Sequence, residues 1–360
     1  MTESRLRVGY DCSAASAGAE EMARAVAVEQ TIEFPPDLAP EWIRRDLVAT
    51  IEEVGENSFV LSFDARLFGD SITEMLNVLW GNVSLLHGVR VTRIDLPDDF
   101  VTAMDGPRFG IAGLRRMFDA EHRPLLATAL KPIGLGAADL ARDAAELAAA
   151  GIDVIKDDHS LGNQVWAPWQ ERVARCAEAV RSSAERAGTG AVYAPSLNVG
   201  AHDVVAKAVR AAELGCGALM MLPGISGFDA IRVVARESGL PIMTHPAMLG
   251  SLTVPRDHGL PIGFVLGTLP RLAGADLSVF PNSGGRFGLT ADECAEIADG
   301  CRNGEEWAPC WPTPGGGMVL DRIGGIMEQY GPDVCLLVGG DLHRGDLRMR
   351  AEAFRQAVSD

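Results

Sequence analysis

Four consecutive residues of this chain combine groups that can bind a metal ion or move a proton. Lys156, Asp157, Asp158 and His159 stand directly after the apolar run 152–155. If that run is a β-strand, alternate side chains point the same way, so Lys156 and Asp158 face one point while Asp157 points away. Carboxylates are usual protein ligands of Mg2+, and a lysine that has reacted with CO2 to form a carbamate is an oxygen donor of the same kind. The spacing is that of a candidate metal site.

Lysine is scarce in this chain, which draws attention to the positions that have it. Only three of the 32 basic residues are lysines, namely Lys131, Lys156 and Lys207. Lys131 follows the apolar run 125–130, so two of the three lysines stand directly after apolar runs, where a functional role is possible. The alternative for each is that it caps a backbone carbonyl or pairs with a neighbouring acid. Lys207 lies in an amphipathic stretch, where we expect a solvated surface residue.

Other polar or glycine-rich segments also follow apolar runs. His245 could be a general base, a hydrogen-bond donor to a substrate or a satisfied structural histidine. The glycine clusters 315–317 and 339–340 precede helical stretches. Backbone N–H groups at such positions bind phosphate in many barrel proteins, and tight turns are the alternative.

The elements that must position these residues follow a repeating pattern. From residue 124 onward, eight short apolar runs alternate with amphipathic stretches rich in Ala, Arg and Glu. Runs that are apolar throughout are typical of strands buried on both faces. Eight such units predict a (β/α)8 TIM barrel, whose chemistry lies on the loops after the strands, and a doubly wound open sheet is the competing arrangement. The predicted strands are 125–130, 152–155, 192–197, 218–222, 241–244, 275–280, 307–311 and 334–338, and the predicted helices are 137–150, 168–187, 202–214, 227–237, 262–273, 290–303, 318–330 and 345–358.

The chain before the barrel has a different pattern. Residues 58–63 and 89–96 alternate between apolar and polar as half-buried strands do, whereas residues 72–79 have helical periodicity. This predicts a smaller α+β domain of ferredoxin-like type. We therefore expect an N-terminal domain over 1–120 and the barrel over 121–360.

The composition excludes several classes of partner. The chain has 360 residues, of which 47% are hydrophobic and 22% charged, as in a packed globular protein. A net charge of −17 argues against nucleic acid or a membrane surface as a partner. The seven cysteines form no C-x-x-C pair, which indicates reduced thiols. Because no apolar run reaches membrane-spanning length and no signal peptide is present, we expect a cytoplasmic protein.

In this order and context, the residues above resemble those of the RuBisCO large-chain superfamily. The barrel of that family has a Lys-Pro segment after its first strand, a Lys-Asp-Asp-Glu segment after its second, a histidine after its fifth and paired glycines after its seventh and eighth. The matching segments of this chain are 128–132, 151–159, 243–246, 315–317 and 338–340. The segment 273–281 looks more like the RuBisCO-like proteins than like the carboxylases.

The resemblance implies a carbamate on Lys156, formed from CO2, and a Mg2+ ion held by this carbamate and Asp158. The third ligand in the family is a glutamate, and this chain has His159 in its place. Imidazole is a neutral, softer donor that suits Zn, Mn, Fe or Ni better than Mg2+. We therefore expect a site made by Lys156, Asp158 and His159, with another divalent metal as the alternative to Mg2+.

The resemblance also implies roles for residues at the other strand ends. Lys131 would be the acid–base group or the ammonium that stabilises an enolate, and His245 would donate a hydrogen bond or relay protons. Asp341 adds a negative charge that is expected to weaken the neighbouring phosphate site. That site would be formed by Gly316, Gly317, Gly339 and Gly340.

Several departures from the family argue against CO2 fixation. The loop 280–288 has Arg286, a predicted substrate-binding residue, but no lysine, and carboxylases use a lysine there. Ile133 replaces a second lysine, Pro246 replaces a phosphate-binding arginine, and Gly315 replaces a serine. The resemblance thus implies enolisation, isomerisation, or decarboxylation with C–C cleavage, on a sugar phosphate or a phosphorylated sugar acid with one phosphate.

Two segments before the barrel look like family segments that reach across a dimer interface into the partner's site. They contain Glu29, a predicted substrate-binding residue, and Asn82, a predicted catalytic residue. The sulfur-salvage enolase of the family has its base lysine where this chain has Asn82, which disfavours that activity. The resemblance implies a homodimer with shared active sites. Two alternatives are a member that binds a metabolite without chemistry, and an unrelated aldolase-type barrel with a Schiff-base lysine.

Overall fold

The structure is a computed structural model that describes residues 4–359. By the contacts among its residues, the chain divides into two compact units. One consists of Met1–Asp105 and Met248–Val265, and the other consists of Gly106–Ala247 and Leu266–Asp360. The domain limits 1–120 and 121–360 stay a prediction, because a unit defined by contacts need not coincide with a domain.

The first unit is built on a four-stranded antiparallel sheet with the order β2-β3-β1-β4. Along β1, the side chains of Leu6, Val8 and Tyr10 are fully buried, which is the alternation of a half-buried strand. The sequence of β-α-β-β-α-β elements is ferredoxin-like, and this confirms the predicted α+β class. The strands are β1 (Arg5–Asp11), β2 (Thr50–Val54), β3 (Ser58–Asp64) and β4 (Arg90–Asp95), and the helices are Ala19–Glu29, Glu41–Asp46, Ile72–Trp80, Asp98–Thr102 and Gly250–Thr253, with 3-10 turns at Ala65–Leu67 and Asn82–Leu85.

The second unit contains eight parallel strands in the order β7-β6-β5-β12-β11-β10-β9-β8. They are β5 (Leu125–Leu130), β6 (Val154–Asp157), β7 (Val192–Ala194), β8 (Leu219–Met221), β9 (Ile242–Thr244), β10 (Leu277–Pro281), β11 (Trp311–Gly315) and β12 (Cys335–Val338). The first and last of them, β5 and β12, are paired, and a bridge between Ser196 and Met220 joins the ends of the series. The sheet is therefore a nearly closed barrel and not an open sheet, which confirms the predicted (β/α)8 fold.

Helices alternate with these strands, and most of them lie within a few residues of the predicted positions. They are Gly110–Met117, Ala137–Ala149, Trp169–Ala187, Val204–Glu213, Pro223–Ser226, Asp229–Ser238, Leu269–Leu272, Ala291–Arg302, Ile323–Tyr330 and Leu347–Ala357, with 3-10 turns at Leu320–Arg322 and Gly340–His343. The core of the barrel combines residues near the strand starts, such as Leu125 and Leu277, with Ile111 and Leu114 of the first of these helices. Apolar packing thus fills one end of the barrel and leaves the carboxyl ends of the strands to polar residues.

The predicted seventh strand, 307–311, is wrong, because the strand β11 begins at Trp311 and ends at Gly315. Prolines argue against a central strand, since they lack the N–H group that a ladder needs, yet Pro312 and Pro314 both lie within β11. The N–H of Trp311 donates to the carbonyl of Asp276, and the carbonyl of Gly315 accepts from the N–H of Asn282; these two partners flank β10. The alternation therefore turns both prolines towards β12, where the ladder with β11 has a single residue pair.

The predicted helix 262–273 is also wrong in form. Its first part is a π-helical turn, Phe264–Thr268, which continues into the next α-helix. Pro270 cannot donate the usual bond to the carbonyl of Leu266. The hydroxyl of Ser278 in β10 donates to that carbonyl instead, over 2.6 Å.

Three further observations bear on the expectations from composition. No helix within residues 4–359 is both long and apolar enough to span a membrane. The cysteines are all buried and unpaired, as expected for reduced thiols. Lys207 is not a fully solvated surface residue, because it is half-buried with its Nζ 4.6 Å from the centre of the Trp169 ring.

Candidate active site at the carboxyl ends of the barrel strands

Lys156 lies in strand β6, near the carboxyl end of the barrel. All four residues of this strand are buried, and only 2% of the surface of Lys156 is exposed. Its Nζ donates a hydrogen bond to the backbone carbonyl of Asp157 over 3.0 Å. Burial lowers the pKa of Lys156 to about 8, although the nearby Asp158 acts in the opposite direction. An amine with this pKa is partly neutral near pH 7, and the neutral amine is the form that reacts with CO2.

Asp157 points away from Lys156, as the alternation along a strand predicts. Its carboxylate accepts two hydrogen bonds from Arg172, at 3.1 and 3.2 Å, and one from the hydroxyl of Tyr193 at 2.6 Å. The side chains of Asp157 and Arg172 are both fully buried, and Arg172 also donates to two carbonyls of the loop after β6. Sequence reasoning missed both residues, because Arg172 is one of several arginines in its helix and Tyr193 does not interrupt the apolar pattern of its strand.

Asp158 holds the negative charge at the centre of the cluster. Its Oδ2 pairs with the ammonium of Lys131, which β5 places at the same rim. Its Oδ1 accepts hydrogen bonds from the backbone N–H of Ser160 at 3.1 Å and from the hydroxyl of the same residue at 2.7 Å. Burial raises the pKa of Asp158, but the hydrogen bonds from Lys131 and Ser160 outweigh this effect and hold the pKa well below its usual value. Asp158 is therefore an anion with donors on both oxygens.

His159 and His245 form a stacked pair of imidazole rings. The ring centres are 4.5 Å apart and the planes differ by 8°. The Nδ1 of His159 lies 3.2 Å from Oδ1 of Asp158, so its Nε2 remains available to another partner. Burial, reinforced by the charge of Lys156, lowers the pKa of His159 and lowers that of His245 to about 2. Both rings are therefore neutral near pH 7.

The backbone fixes which nitrogen of His245 carries its proton. The Nδ1 of His245 accepts a hydrogen bond from the N–H of Ala247 over 3.2 Å. The neutral ring must then carry its proton on Nε2, which makes Nε2 a donor. Of the roles considered for His245, this arrangement fits a hydrogen-bond donor better than a general base.

The donors at this rim fit a divalent cation under one condition. Within residues 4–359, no three His, Cys, Asp or Glu side chains are grouped so that they could hold a metal ion. Asp158 supplies an oxygen and His159 a nitrogen, so the third donor would have to be a carbamate on Lys156. A carbamate also replaces a cationic side chain by an anionic one, which favours a bound cation. The predicted ligand set is therefore complete only after CO2 has reacted with Lys156.

The two glycine clusters follow the neighbouring strands β11 and β12. Gly316 and Gly317 have φ angles of 92° and 69°, a left-handed backbone that glycine adopts without strain. Within residues 4–359, four backbone N–H groups of these clusters donate to no backbone carbonyl outside helices and strands. They belong to Gly316, Gly317, Gly339 and Gly340. These groups are available to an anion, as the resemblance implies for a phosphate.

The structure corrects the effect that we expected of Asp341. This residue is buried, and its carboxylate pairs with Arg350 and, at 3.7 Å, with Arg344. Two guanidinium groups therefore compensate the charge that we expected to weaken phosphate binding. Asp341 instead ties the 3-10 turn after β12 to the last helix of the chain, which contains Arg350.

Arg286, which the sequence predicts to bind substrate, is exposed on the loop after β10. Its guanidinium lies over the ring of Phe287, 4.9 Å from the ring centre. It forms no ion pair with the residues that the structure describes. Its charge adds to the lowering of the pKa of His159, for which burial is the main cause. Arg286 thus places a positive charge near the stacked imidazoles.

Glu29 and Asn82 belong to the first unit, and the structure brings them together. The Nδ2 of Asn82 donates to Oε1 of Glu29 over 2.8 Å. The neighbouring Gln30 fixes this pair, because its buried amide donates to the carbonyls of Asn77 and Val78 and accepts from the N–H of Val83. Sequence reasoning did not single out Gln30, since one glutamine at the end of a helix gives no signal of its own.

Comparisons with known proteins define the family. The family profile described as "Ribulose bisphosphate carboxylase large chain, catalytic domain" matches residues 110–284. "Ribulose bisphosphate carboxylase-like protein 1" of Rhodopseudomonas palustris is 35% identical, with 98% of this chain and 96% of that protein covered. "5-methylthioribulose-1-phosphate isomerase" of Rhodospirillum rubrum is 36% identical, with 100% of this chain and 97% of that protein covered.

The fold agrees with these sequence relatives. The crystal structure of a RuBisCO-like protein from Rhodopseudomonas palustris matches with a TM-score of 0.89 and 33% identity, over 100% of this chain and 99% of that chain. A (β/α)8 barrel together with a ferredoxin-like unit is the architecture of RuBisCO large chains. This chain belongs to the RuBisCO large-chain family, within which it is a RuBisCO-like protein.

Proposed function

We propose that this protein is an enzyme of enolate chemistry that acts on a sugar phosphate or a phosphorylated sugar acid. The reaction would be an enolisation, an isomerisation or a decarboxylation with C–C cleavage. The observation that carries the proposal is the cluster of Lys131, Lys156, Asp158 and His245 at one rim of the barrel. It combines a proton carrier, a buried amine that can take up CO2, an anion and a hydrogen-bond donor. A relative named as a sugar-phosphate isomerase supports this class of reaction.

We propose that Asp158, His159 and the carbamate of Lys156 hold a divalent cation, which is Mg2+ or a softer metal. When bound, such a cation supplies Lewis-acid polarisation of a carbonyl oxygen. Asp158 would then no longer need the ammonium of Lys131 as its counter-ion. The side chain of Lys131, of which 39% is exposed, would be left to act on the substrate.

The remaining residues have roles that follow from their donors and charges. In its neutral form, the Nζ of Lys131 would take the proton from the carbon next to the carbonyl, becoming an ammonium, and would return that proton in the second half of the reaction. The Nε2–H of His245 would donate to the oxygen on which negative charge develops. Arg286 and the N–H groups of Gly316 and Gly317 would bind anionic groups of the substrate.

We propose that CO2 is part of the site and not a substrate. The loop after β10 has no lysine, and Arg286 is its only basic residue. Ile133, with 48% of its surface exposed, offers an apolar side chain after β5 where the carboxylases have a second lysine. Pro246 cannot replace the arginine that binds the second phosphate. A substrate with one phosphate therefore suits this rim better than a bisphosphate.

We further propose a cytoplasmic homodimer in which the two protomers share active sites. The buried, unpaired cysteines support a reducing compartment. The Glu29–Asn82 pair lies at the solvent-exposed surface, where a second protomer could reach it. Equilibrium sedimentation would report the oligomeric state directly.

Uptake of CO2 by Lys156 is the test of the proposed metal site. With 13C-bicarbonate and a divalent cation, the wild-type protein should give one carbamate resonance by 13C NMR, which should strengthen as the pH rises towards 9 because more of the amine is neutral. Lys156→Gln should lose it. Since the chain has only three lysines, Lys131→Gln and Lys207→Gln complete the assignment. A resonance that survives in Lys156→Gln, or none in the wild type, would contradict the ligand set.

Replacing His159 with glutamate should move the metal preference towards Mg2+. A carboxylate is a harder donor than imidazole, so we expect His159→Glu to bind Mg2+ about tenfold more tightly relative to Zn2+ than the wild type does. The measurement is metal content after equilibrium dialysis with bicarbonate and both metals. The control is His122→Glu, because His122 is an exposed residue before β5, at the other end of the barrel. Equal metal ratios in His159→Glu and the control would remove His159 from the ligand set.

A further inference from the structure

Arg322 is a guanidinium group at the rim of the barrel with no acidic partner. It ends the 3-10 turn Leu320–Arg322, shortly after the glycine cluster that follows β11. Its side chain is exposed and forms no ion pair within the part of the chain that the structure describes. The sequence did not single out Arg322, because it is one arginine among many. Its position next to the predicted phosphate site makes it a candidate ligand, which composition alone could not indicate.

The guanidinium of Arg322 joins two loops of the rim. It donates to the carbonyl of Gly317, after β11, over 3.4 Å, and to the carbonyl of Ser283, after β10, over 3.5 Å. These hydrogen bonds are long and therefore weak. A guanidinium has five N–H donors, so most of its hydrogen-bonding capacity remains available. Arg322 is therefore only weakly bound to the two loops and keeps donors available for another acceptor.

Two glycines of these loops, Gly284 and Gly317, lie against the guanidinium of Arg322. A Cβ atom at Gly284, where φ is 70°, would lie 2.8 Å from Nη2 of Arg322. A Cβ atom at Gly317 would lie 3.1 Å from Nη1 of Arg322 and 3.4 Å from the carbonyl oxygen of Gly284. Any larger residue at these two positions would displace the guanidinium. Glycine at both positions thus leaves room for the guanidinium of Arg322.

Three donors without hydrogen-bond partners among the described residues lie on the loops after β10 and β11. The backbone N–H groups of Gly316 and Gly317 donate to no backbone carbonyl of the described chain. Asn282, with 1% of its surface exposed, begins the first of the two loops, and its Nδ2 has no hydrogen-bond partner there. The Oδ1 of Asn282 accepts a hydrogen bond from the hydroxyl of Tyr330 over 2.7 Å, which orients the amide. Gly316 and Gly317 are exposed, so their N–H groups can bind an anion from solvent, whereas the buried Nδ2 of Asn282 is a costly donor without an acceptor in the described chain.

We propose that Arg322 is the cationic ligand of the phosphate ester that the N–H groups of Gly316 and Gly317 receive. It supplies a positive charge from the segment after β11, beside the glycine cluster. A guanidinium binds a phosphate through two parallel N–H groups, and its charge strengthens both bonds. The assignment rests on the proposed function, in which the substrate has one phosphate. It also makes Arg322 a determinant of specificity for phosphorylated substrates.

Binding of inorganic phosphate tests this assignment without knowledge of the substrate. Isothermal titration of the full-length protein should show phosphate binding that Arg322→Gln weakens about tenfold or more, whereas Arg322→Lys should lie between the two because it keeps the charge but not the fork. The control is Arg186→Gln. Arg186 is exposed at the end of the helix that precedes β7, and therefore lies at the opposite end of the barrel. The Arg186→Gln variant should bind phosphate as the wild type does.

Three results would overturn the assignment. They are phosphate affinity in Arg322→Gln equal to that of the wild type, an equal loss in Arg186→Gln, and no phosphate binding by the wild type. A thermal melt of Arg322→Gln, expected to match that of the wild type because the side chain is exposed, excludes a folding defect as the cause of weaker binding.

The proposed reaction is tested separately. Phosphate binding that depends on Arg322 without any turnover would contradict the reaction only, and turnover with an unchanged KM in Arg322→Gln would contradict the role of Arg322 only.

Discussion

Lys131→Met should lower kcat by about 10² to 10⁴-fold, which is the range for loss of a general acid–base group. The side chain of Lys131 is 39% exposed and its ammonium pairs with Asp158 at the rim, so methionine removes the proton carrier and leaves the core unchanged. The readouts are kcat and the rate of exchange of substrate C–H protons with deuterated solvent. KM should change much less than kcat, because the glycine N–H groups and Arg286 still bind the anionic groups.

The matched control for this variant is Lys207→Met. Lys207 packs over Trp169 on the outer helices and has no place in the proposed reaction, so its loss should leave turnover within about twofold of the wild type. Turnover by Lys131→Met equal to that of the wild type would remove Lys131 from the mechanism. A stable adduct of Lys131 or Lys156 after borohydride treatment with substrate would instead support a Schiff-base aldolase.

Arg172→Met should destabilise the protein by about 3 to 5 kcal/mol, since it leaves the buried carboxylate of Asp157 without its counter-ion. The pair is fully buried, and Arg172 also binds two carbonyls of the loop that carries His159 and Ser160 to the rim. We therefore expect a lower denaturation midpoint together with weaker cation binding. The measurement is a denaturant titration followed by circular dichroism.

Arg175→Met is the matched control on the same helix. Arg175 forms an exposed ion pair with Glu171, and such pairs contribute about 0 to 1 kcal/mol. The double variant Asp157→Asn with Arg172→Met should be more stable than Arg172→Met alone, because it removes the unpaired charge. If Arg172→Met and Arg175→Met lose equal stability, the buried pair does not anchor β6.

The sequence was sufficient for the architecture because the barrel repeats one signal eight times. Strand β5 was predicted at its observed limits, 125–130. The predictions failed where a residue distant in the chain but close in space offset a local sequence preference. Pro312 and Pro314 are tolerated in β11 because they face the side with little pairing, and Pro270 is tolerated because the hydroxyl of Ser278 takes over a lost hydrogen bond. Neither partner is visible from local sequence.

The candidate site, too, could be predicted only in part. The spacing of Lys156, Asp157 and Asp158 indicated which side chains share a face, since a strand has a fixed period of two. It could not show that Arg172 and Tyr193 would hold Asp157, nor that Arg350 would neutralise Asp341. These partners come from helices and strands distant in the chain. Charges that look adjacent in sequence can therefore be compensated in the fold, whereas an uncompensated one such as Arg322 emerges only in three dimensions.

The central claim is that this barrel performs enolate chemistry on a phosphorylated sugar and does not fix CO2. Its most direct test is NMR of candidate substrates in deuterated buffer with bicarbonate and a divalent cation, using 5-methylthioribulose 1-phosphate and other phosphorylated ketoses and sugar acids, with labelled CO2 and ribulose bisphosphate in parallel. We predict exchange or conversion of at least one monophosphorylated substrate that is lost in Lys131→Met, and no labelled product from ribulose bisphosphate. Fixation of labelled CO2, or substrate binding without exchange or conversion of any of them, would contradict the account.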